Sequence, residues 1–242
     1  MRENVTPYQN SSATKKEQVA DMFNKIAPRY DFLNHFLSFG IDILWRKKAI
    51  SLLKKQAPKN ILDIATGTGD LAITALSLNP DKITGVDVSE GMLAFGREKI
   101  KKQKLENTIE LISGDAENLP FADNTFDAIT VAFGVRNFEH LDKGLMDMYR
   151  VLKPGGTTVI LEFSNPTKFP IKQLYALYSK NILPKMGKMI SKDNSAYSYL
   201  PASVKAFPCG EDFLTVFRNA GFKETQAISL TLGIASIYVG RK

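Results

Sequence analysis

The chain has 242 residues, 44% hydrophobic and 24% charged, with a formal net charge of +7. That composition supports a core within reach of one domain and excludes a disordered chain, a collagen-like repeat or a disulfide-stapled mini-protein. No apolar run approaches the ~20 residues of a spanning helix, no secretory signal opens the chain, and the single Cys209 fits a reducing, cytoplasmic location. With two histidines and one cysteine, no metal site is expected.

Residues 1–18, rich in Asn, Ser, Thr and Lys, predict a flexible tail ahead of one domain over residues 19–242. Val19, Met22, Phe23 and Ile26 fall at helical spacing until Pro28. Tyr30, Phe32, Leu33, Phe36 and Leu37 continue the apolar stripe to Ser38-Phe39-Gly40, and a further helix is predicted from Ile41 to Lys55. Residues 19–57 are thus N-terminal helices added to a different pattern.

From Asn60 onward, short apolar runs alternate with helical segments. The runs Ile61–Ala65, Ile83–Val86, Ile109–Ile112, Ala128–Phe133 and Thr158–Phe163 predict strands. Helices are predicted over Asp70–Leu78, Glu90–Lys102 and Lys143–Leu152, and Lys153-Pro154-Gly155-Gly156 marks a turn. A helix over Gly210–Asn219 and a closing hairpin, Thr225–Leu230 with Ile234–Val239, end the chain. Strand–helix alternation of this kind predicts an α/β fold with a mostly parallel sheet covered on both faces.

Residues 165–207 break the alternation and predict a helical lid or insertion. Ile171, Leu174, Tyr175, Tyr178 and Ile182 line one helical face, followed by Met186, Met189 and Ile190. The stretch holds seven lysines and one aspartate, which makes it both apolar and basic. Peripheral membrane contact is one expectation for it, and a solvated helix on the sheet edge is the other.

Ile61 to Ala72 carries the most chemical information. An apolar strand ends in Gly67-Thr68-Gly69 and a helix follows, so the backbone turns sharply and a ligand can approach it closely. Gly67-x-Gly69-x-x-Ala72 also satisfies the dinucleotide fingerprint, so an NAD-type ligand stays open. Asp63 before the turn and Asp70 after it repel a pyrophosphate and suit the ammonium and sulfonium of S-adenosylmethionine, with a plain first-turn residue that complements the helix dipole as the alternative for Asp70. Asp87, at the tip of the second strand, is placed to accept from both ribose hydroxyls. Asp115, after the third, offers an acceptor to the adenine amine beside the Ala116 backbone donor.

With these residues the sequence resembles the class I S-adenosylmethionine-dependent methyltransferases, and within them the bacterial demethylmenaquinone/ubiquinone C-methyltransferases. The narrow markers are Tyr30-Asp31-x-x-Asn34, Trp45-Arg46, Gly67-Thr68-Gly69-Asp70, Phe133-Gly134-Val135-Arg136-Asn137 and Arg150 to Gly156, with Glu162-Phe163-Ser164, Tyr199-Leu200-x-x-Ser203 and Phe207-Pro208 in support. The resemblance implies a Rossmann-like, seven-stranded sheet with one antiparallel strand. It also implies S-adenosyl-L-methionine on Thr68, Asp87, Asp115 and Ala116, supported by Asp63, Gly67 and Gly69. The implied acceptor is a polyprenylated quinol methylated on a ring carbon; demethylmenaquinol is the first choice and a polyprenyl benzoquinol the alternative. Some ubiquinone-type members carry serine where this chain has Ala132.

Carbon methylation needs a ring hydroxyl to lose its proton, so Arg136 is expected to stabilise the phenolate and Asn137 to orient the ring. A structural salt bridge at a strand-to-helix corner is the alternative for Arg136. Tyr30, Asp31 and Asn34 are expected to close the pocket. His35 and His140 read as surface or helix-start residues, and Cys209 as a bystander. No basic cleft with interleaved aromatics appears, so nucleic acid is not an expected partner. The oligomeric state is open, with a homodimer among the options.

Overall fold

The computed structural model describes residues 5–8, 11–166, 169–177 and 195–242. Strands β1 (Asn60–Ile64), β2 (Lys82–Asp87), β3 (Ile109–Ser113), β4 (Phe126–Ala132), β5 (Leu152–Phe163), β6 (Lys223–Leu230) and β7 (Ala235–Arg241) form one sheet in the order β3-β2-β1-β4-β5-β7-β6. The first five pair parallel, while β7 runs antiparallel to both β5 and β6. The alternation's parallel sheet is observed in the first five strands, and the whole is the mostly parallel, seven-stranded sheet that the resemblance implies. Between β1 and β4 the strand order reverses, which opens a crevice beyond the carboxyl ends of these two strands.

Strand alternation separates two cores. Ile61 faces a layer with Trp45, Ile50, Leu71 and Leu93, whereas Leu62 and Ile64 face one with Leu145, Met148, Phe213 and Phe217. Helices α4 (Asp70–Ala75), α5 (Glu90–Lys102) and α6 (Leu141–Val151) occupy the crossovers. The Lys153–Gly156 turn lies inside β5 as a bulge: Leu152 pairs with Phe126, and the register then resumes at Thr157 opposite Ala128. Gly155 takes φ +78°, where a side chain would be strained.

Three helices precede the sheet: α1 (Lys15–Ile26), α2 (Tyr30–Leu37) and α3 (Ile41–Ser51). Helix α1 starts within the stretch expected to be a tail. Its cause is a capping box, in which the Thr14 hydroxyl accepts from the Glu17 N–H and the Glu17 carboxylate accepts from the Thr14 N–H at 2.8 Å. Asn24 then docks α1 on the start of α5, its side-chain oxygen accepting from the Ser89 hydroxyl and the Gly91 N–H, each at 2.8 Å. Of the expected insertion, α7 (Ile171–Leu177) and α8 (Ser195–Ala206) are described, and α9 (Glu211–Asn219) follows. Tyr178, Ile182, Met186, Met189 and Ile190 lie outside the described residues, as do the side chains of Leu174 and Asn34.

Candidate active site

Beyond Ile64 the chain turns through Ala65 (φ +51°), Gly67 (φ +57°) and Gly69 (φ +82°) into α4. Phe133, at the neighbouring end of β4, also has positive φ, +59°. Two non-glycine residues in this region side by side store backbone strain at the point where the strand order reverses. The Asp87 carboxylate locks the turn: one oxygen accepts from the Gly67 N–H and the other from the Ser89 N–H, both at 2.8 Å. Burial pushes its pKa up, and those backbone donors oppose the shift.

A cleft opens over these strand ends. Its floor is Ile64, Ala65 and Gly67 from the first crossover, Val86 to Val88 from the second, Gly114 to Glu117 from the third, and Ala132 to Gly134 from the fourth. Helix α1 roofs it with Lys16, Val19 and Phe23, and Tyr30, Asn137, Phe138 and Glu139 complete the wall. The charged lining is Asp87, Asp115, Glu117 and Glu139 against Lys16, so the cleft is anionic. Lys16 pairs with Asp115, and the hydrogen bond to that carboxylate holds its pKa above the usual lysine range. The other Asp115 oxygen accepts from the Glu117 N–H at 2.9 Å. The roof is pinned by Lys15, whose ammonium donates to the carbonyls of Phe138 at 2.9 Å and Arg136 at 3.2 Å.

Gly67, Asp87, Asp115, Ala116 and Asn137 therefore share one cleft, as do Tyr30 and Ala132. Asp63, Thr68, Gly69 and Arg136 are not on its wall. Asp63 points to the other face of β1, fully buried, accepting from the hydroxyls of Thr66 at 2.6 Å and Thr130 at 2.8 Å. Burial raises its pKa to about 6. The Thr68 hydroxyl donates to Asp31 at 2.5 Å, and Lys99 bridges Asp31 and Asp70 at 2.5 and 2.7 Å. Asp70 is thus compensated by Lys99, with Arg46 also 3.8 Å away. The negative field expected from Asp63 and Asp70 comes instead from the four carboxylates of the wall.

Arg136 is held in a buried ion pair with Glu162 at 2.8 Å, the two side chains 6% and 0% exposed. Its guanidinium also reaches the Phe133 carbonyl, and its own N–H donates to Glu162 at 3.2 Å. The strand-to-helix salt bridge describes its position, and the guanidinium lies off the cleft. Asn137 accepts from the Tyr199 hydroxyl at 3.1 Å. His35 bonds Asp42 at 2.9 Å, while the His140 N–H donates to Glu117 at 2.9 Å just before α6. Cys209 is half-buried, which pushes its thiol pKa up. Sequence reads Val19 and Phe23 only as part of a helical apolar face and does not assign Lys16, Glu117, Phe138 or Glu139 to the site; Thr14-x-x-Glu17 is the signal that carries the helix, and Lys16 with it, to the site.

A family model described as the ubiE/COQ5 methyltransferase family matches residues 11–242. The chain belongs to that family. A Bacteroides fragilis protein named demethylmenaquinone methyltransferase is 54% identical over 242 residues, covering 100% of this chain and 98% of its own length. A Geotalea daltonii family member named ubiquinone/menaquinone biosynthesis C-methyltransferase UbiE is 47% identical over 230 residues, 94% of this chain and 97% of that protein. Among solved structures, a SAM-dependent methyltransferase from Thermotoga maritima superposes with a TM-score of 0.63 at 21% identity, covering 92% of this chain and 99% of that one. That likeness shows the methyltransferase fold. The ubiE/COQ5 match includes α1, so the roof of the cleft lies within the family's own span.

Proposed function

We propose that this chain transfers the methyl group of S-adenosyl-L-methionine to a ring carbon of demethylmenaquinol, giving menaquinol. The observation that carries the proposal is the anionic cleft at the strand reversal, in a chain 54% identical to a protein named for that activity. Four carboxylates against one lysine suit a cationic nucleoside and oppose a pyrophosphate. When bound, the donor supplies an electrophilic methyl group on a sulfonium.

The chain's own residues divide the remaining work. Asp87 keeps lone pairs for the ribose hydroxyls after accepting its two backbone bonds, and Asp115 does the same for the adenine amine beside the Ala116 N–H. The positive φ of Gly67 brings the main chain close to the ligand without a Cβ in the way. Phe23, Tyr30, Phe133 and Phe138 give the acceptor ring apolar walls. Asn137, on the cleft wall, spends its carbonyl on Tyr199 and one amide hydrogen on the Phe133 carbonyl, which leaves the second amide hydrogen to donate to a phenolate oxygen. Arg136 acts as a positioning residue, since Glu162 neutralises its charge and both Arg136 and Asn137 reach the Phe133 carbonyl. The phenol proton leaves through water, the hydrogen on the methylated ring carbon is lost as a proton when the ring regains its aromaticity and the phenol oxygen is reprotonated, and alignment of carbon, methyl and sulfur supplies most of the rate.

A demethylmenaquinol analogue incubated with S-adenosylmethionine and the purified protein should gain one methyl group on carbon, read by mass spectrometry. Cells lacking the protein should accumulate demethylmenaquinone. Accumulation of a demethylated benzoquinone instead would transfer the assignment to the ubiquinone branch, and a normal quinone profile would remove it.

A further inference from the structure

The corner between α2 and α3 exposes a run of large apolar side chains. Phe32 is 60% exposed, Phe36 47%, Phe39 83%, Ile43 43% and Leu44 63%. Phe32 and Phe36 stack on each other, ring centroids 5.6 Å apart. The corner is tightly built: the Phe39 N–H donates to Phe36, Gly40 to His35 and Ile43 to Gly40. Phe39 is held at φ +52°, a conformation costly for a bulky residue, with its ring in solvent. An exposed apolar patch on such a frame marks an interaction surface.

Charge selects the partner. Between Tyr30 and Gln56 every exposed charged side chain is a lysine: Lys47 and Lys48, one turn beyond Ile43 and Leu44, then Lys54 and Lys55. The acids of this stretch face inward. Asp42 is buried on Arg46, Ser38 and His35, and Asp31 is taken up by Thr68 and Lys99. We infer that the α2–α3 corner is a docking surface for a bilayer carrying anionic headgroups, with the phenylalanines and leucine entering the interface and the lysines meeting the phosphates. Tyr30, the first residue of α2, lines the cleft, so docking sets the cleft beside the lipid. The inference extends the quinol reading by giving the acceptor's polyprenyl tail a place to remain in lipid. It places a membrane-facing surface on the N-terminal helices, beside the contact expected of the basic 165–207 stretch.

Flotation of the full chain with phosphatidylglycerol-containing and pure phosphatidylcholine vesicles tests it. The protein should float with the anionic vesicles, and Lys47→Gln/Lys48→Gln should weaken partitioning about fivefold per lysine removed. Phe39→Ser/Leu44→Ser should abolish flotation, with the unfolding midpoint and the heat of S-adenosylmethionine binding unchanged. Both variants should keep methyl transfer to a short-tailed, water-soluble quinol and lose it on a vesicle-embedded one. Flotation that survives both pairs of substitutions overturns the proposal. So does a wild-type chain that stays off vesicles yet dimerises through Phe39 in sedimentation, which makes the patch a self-association face. Flotation that behaves as stated, with no methyl transfer to either acceptor, refutes the quinol reading and leaves the docking surface standing.

Discussion

Replacing Arg136 separates a structural pin from a free catalytic cation. The pair with Glu162 is almost wholly out of water, 6% and 0% exposed, and Glu162 also accepts from the backbone N–H of Arg136 and of Phe163. Arg136→Met leaves that carboxylate buried without its cation, a loss of about 3–5 kcal/mol. For a chain of this size each kcal/mol lowers the melting temperature by roughly 2–4 °C, so the variant should melt roughly 6–20 °C lower. In Arg136→Met/Glu162→Gln no unpaired charge remains and the amide oxygen still serves one backbone donor, so most of the loss should return. Turnover of the double variant, assayed well below its midpoint with cofactor binding followed by calorimetry, then reports the guanidinium's part in methyl transfer. A positioning residue gives a recovered fold with turnover reduced and the pH profile in place. If Arg136→Met melts within about 1 kcal/mol of the parent while turnover collapses, the guanidinium is free to face substrate and the assignment of a pin is refuted.

Asp87→Asn should weaken S-adenosylhomocysteine binding about 10- to 100-fold, the worth of one charge-assisted hydrogen bond, and isothermal titration reads it directly. Asp63, its pKa raised to about 6 by burial, binds its proton more tightly folded than unfolded, so its contribution to stability falls as pH rises from about 4 to 6. The urea stability of Asp63→Asn relative to the parent should accordingly improve by about 2 kcal/mol between pH 4 and pH 7, and a pH-independent difference would contradict the buried carboxyl. At Gly96→Ala the new Cβ would sit 2.5 Å from Leu111 Cδ1 and 3.2 Å from the Thr68 carbonyl carbon, so α5 must move off the glycine turn. Cofactor affinity should drop about tenfold, within the usual cost of overpacking, and equal affinity would mean the turn yields freely.

The regular elements were legible because their signals are local. Glu90–Lys102 is bounded by the Ser89 cap and a basic last turn, and the helix observed spans those same residues. The three strand-tip positions followed from where each apolar run stops, which is why Gly67, Asp87 and Asp115 fall in one cleft. What stayed hidden depends on contacts across the chain. Glu117 and Glu139 sit on loops 22 residues apart without periodicity, and they meet because Glu117 accepts from the Glu139 N–H at 2.8 Å. Lys16 lay in a segment whose composition resembles a tail, and only the Thr14–Glu17 box turns it into the first turn of the roof. Arg136 was legible as a residue and illegible in direction, since nothing local shows that Glu162, 26 positions on, turns it inward.

Choice of ligand rests on a charge distribution that the fold rearranges. Asp63 and Asp70, beside the glycine turn, point toward a cationic ligand by sequence, yet one is sequestered on two threonine hydroxyls and the other is matched by Lys99 and Arg46. Had the cleft been lined only by what the turn supplies, a dinucleotide would meet no net repulsion there. The discrimination comes from carboxylates at the second and third strand ends and on the loop before α6, opposed by a lysine on α1. Lys16 pairs with one oxygen of Asp115 and stands close to Glu117 and Glu139, so it offsets only part of the negative charge that these three acids and Asp87 place on the cleft wall. A ligand with net positive charge is drawn to such a lining, and a pyrophosphate is repelled by it.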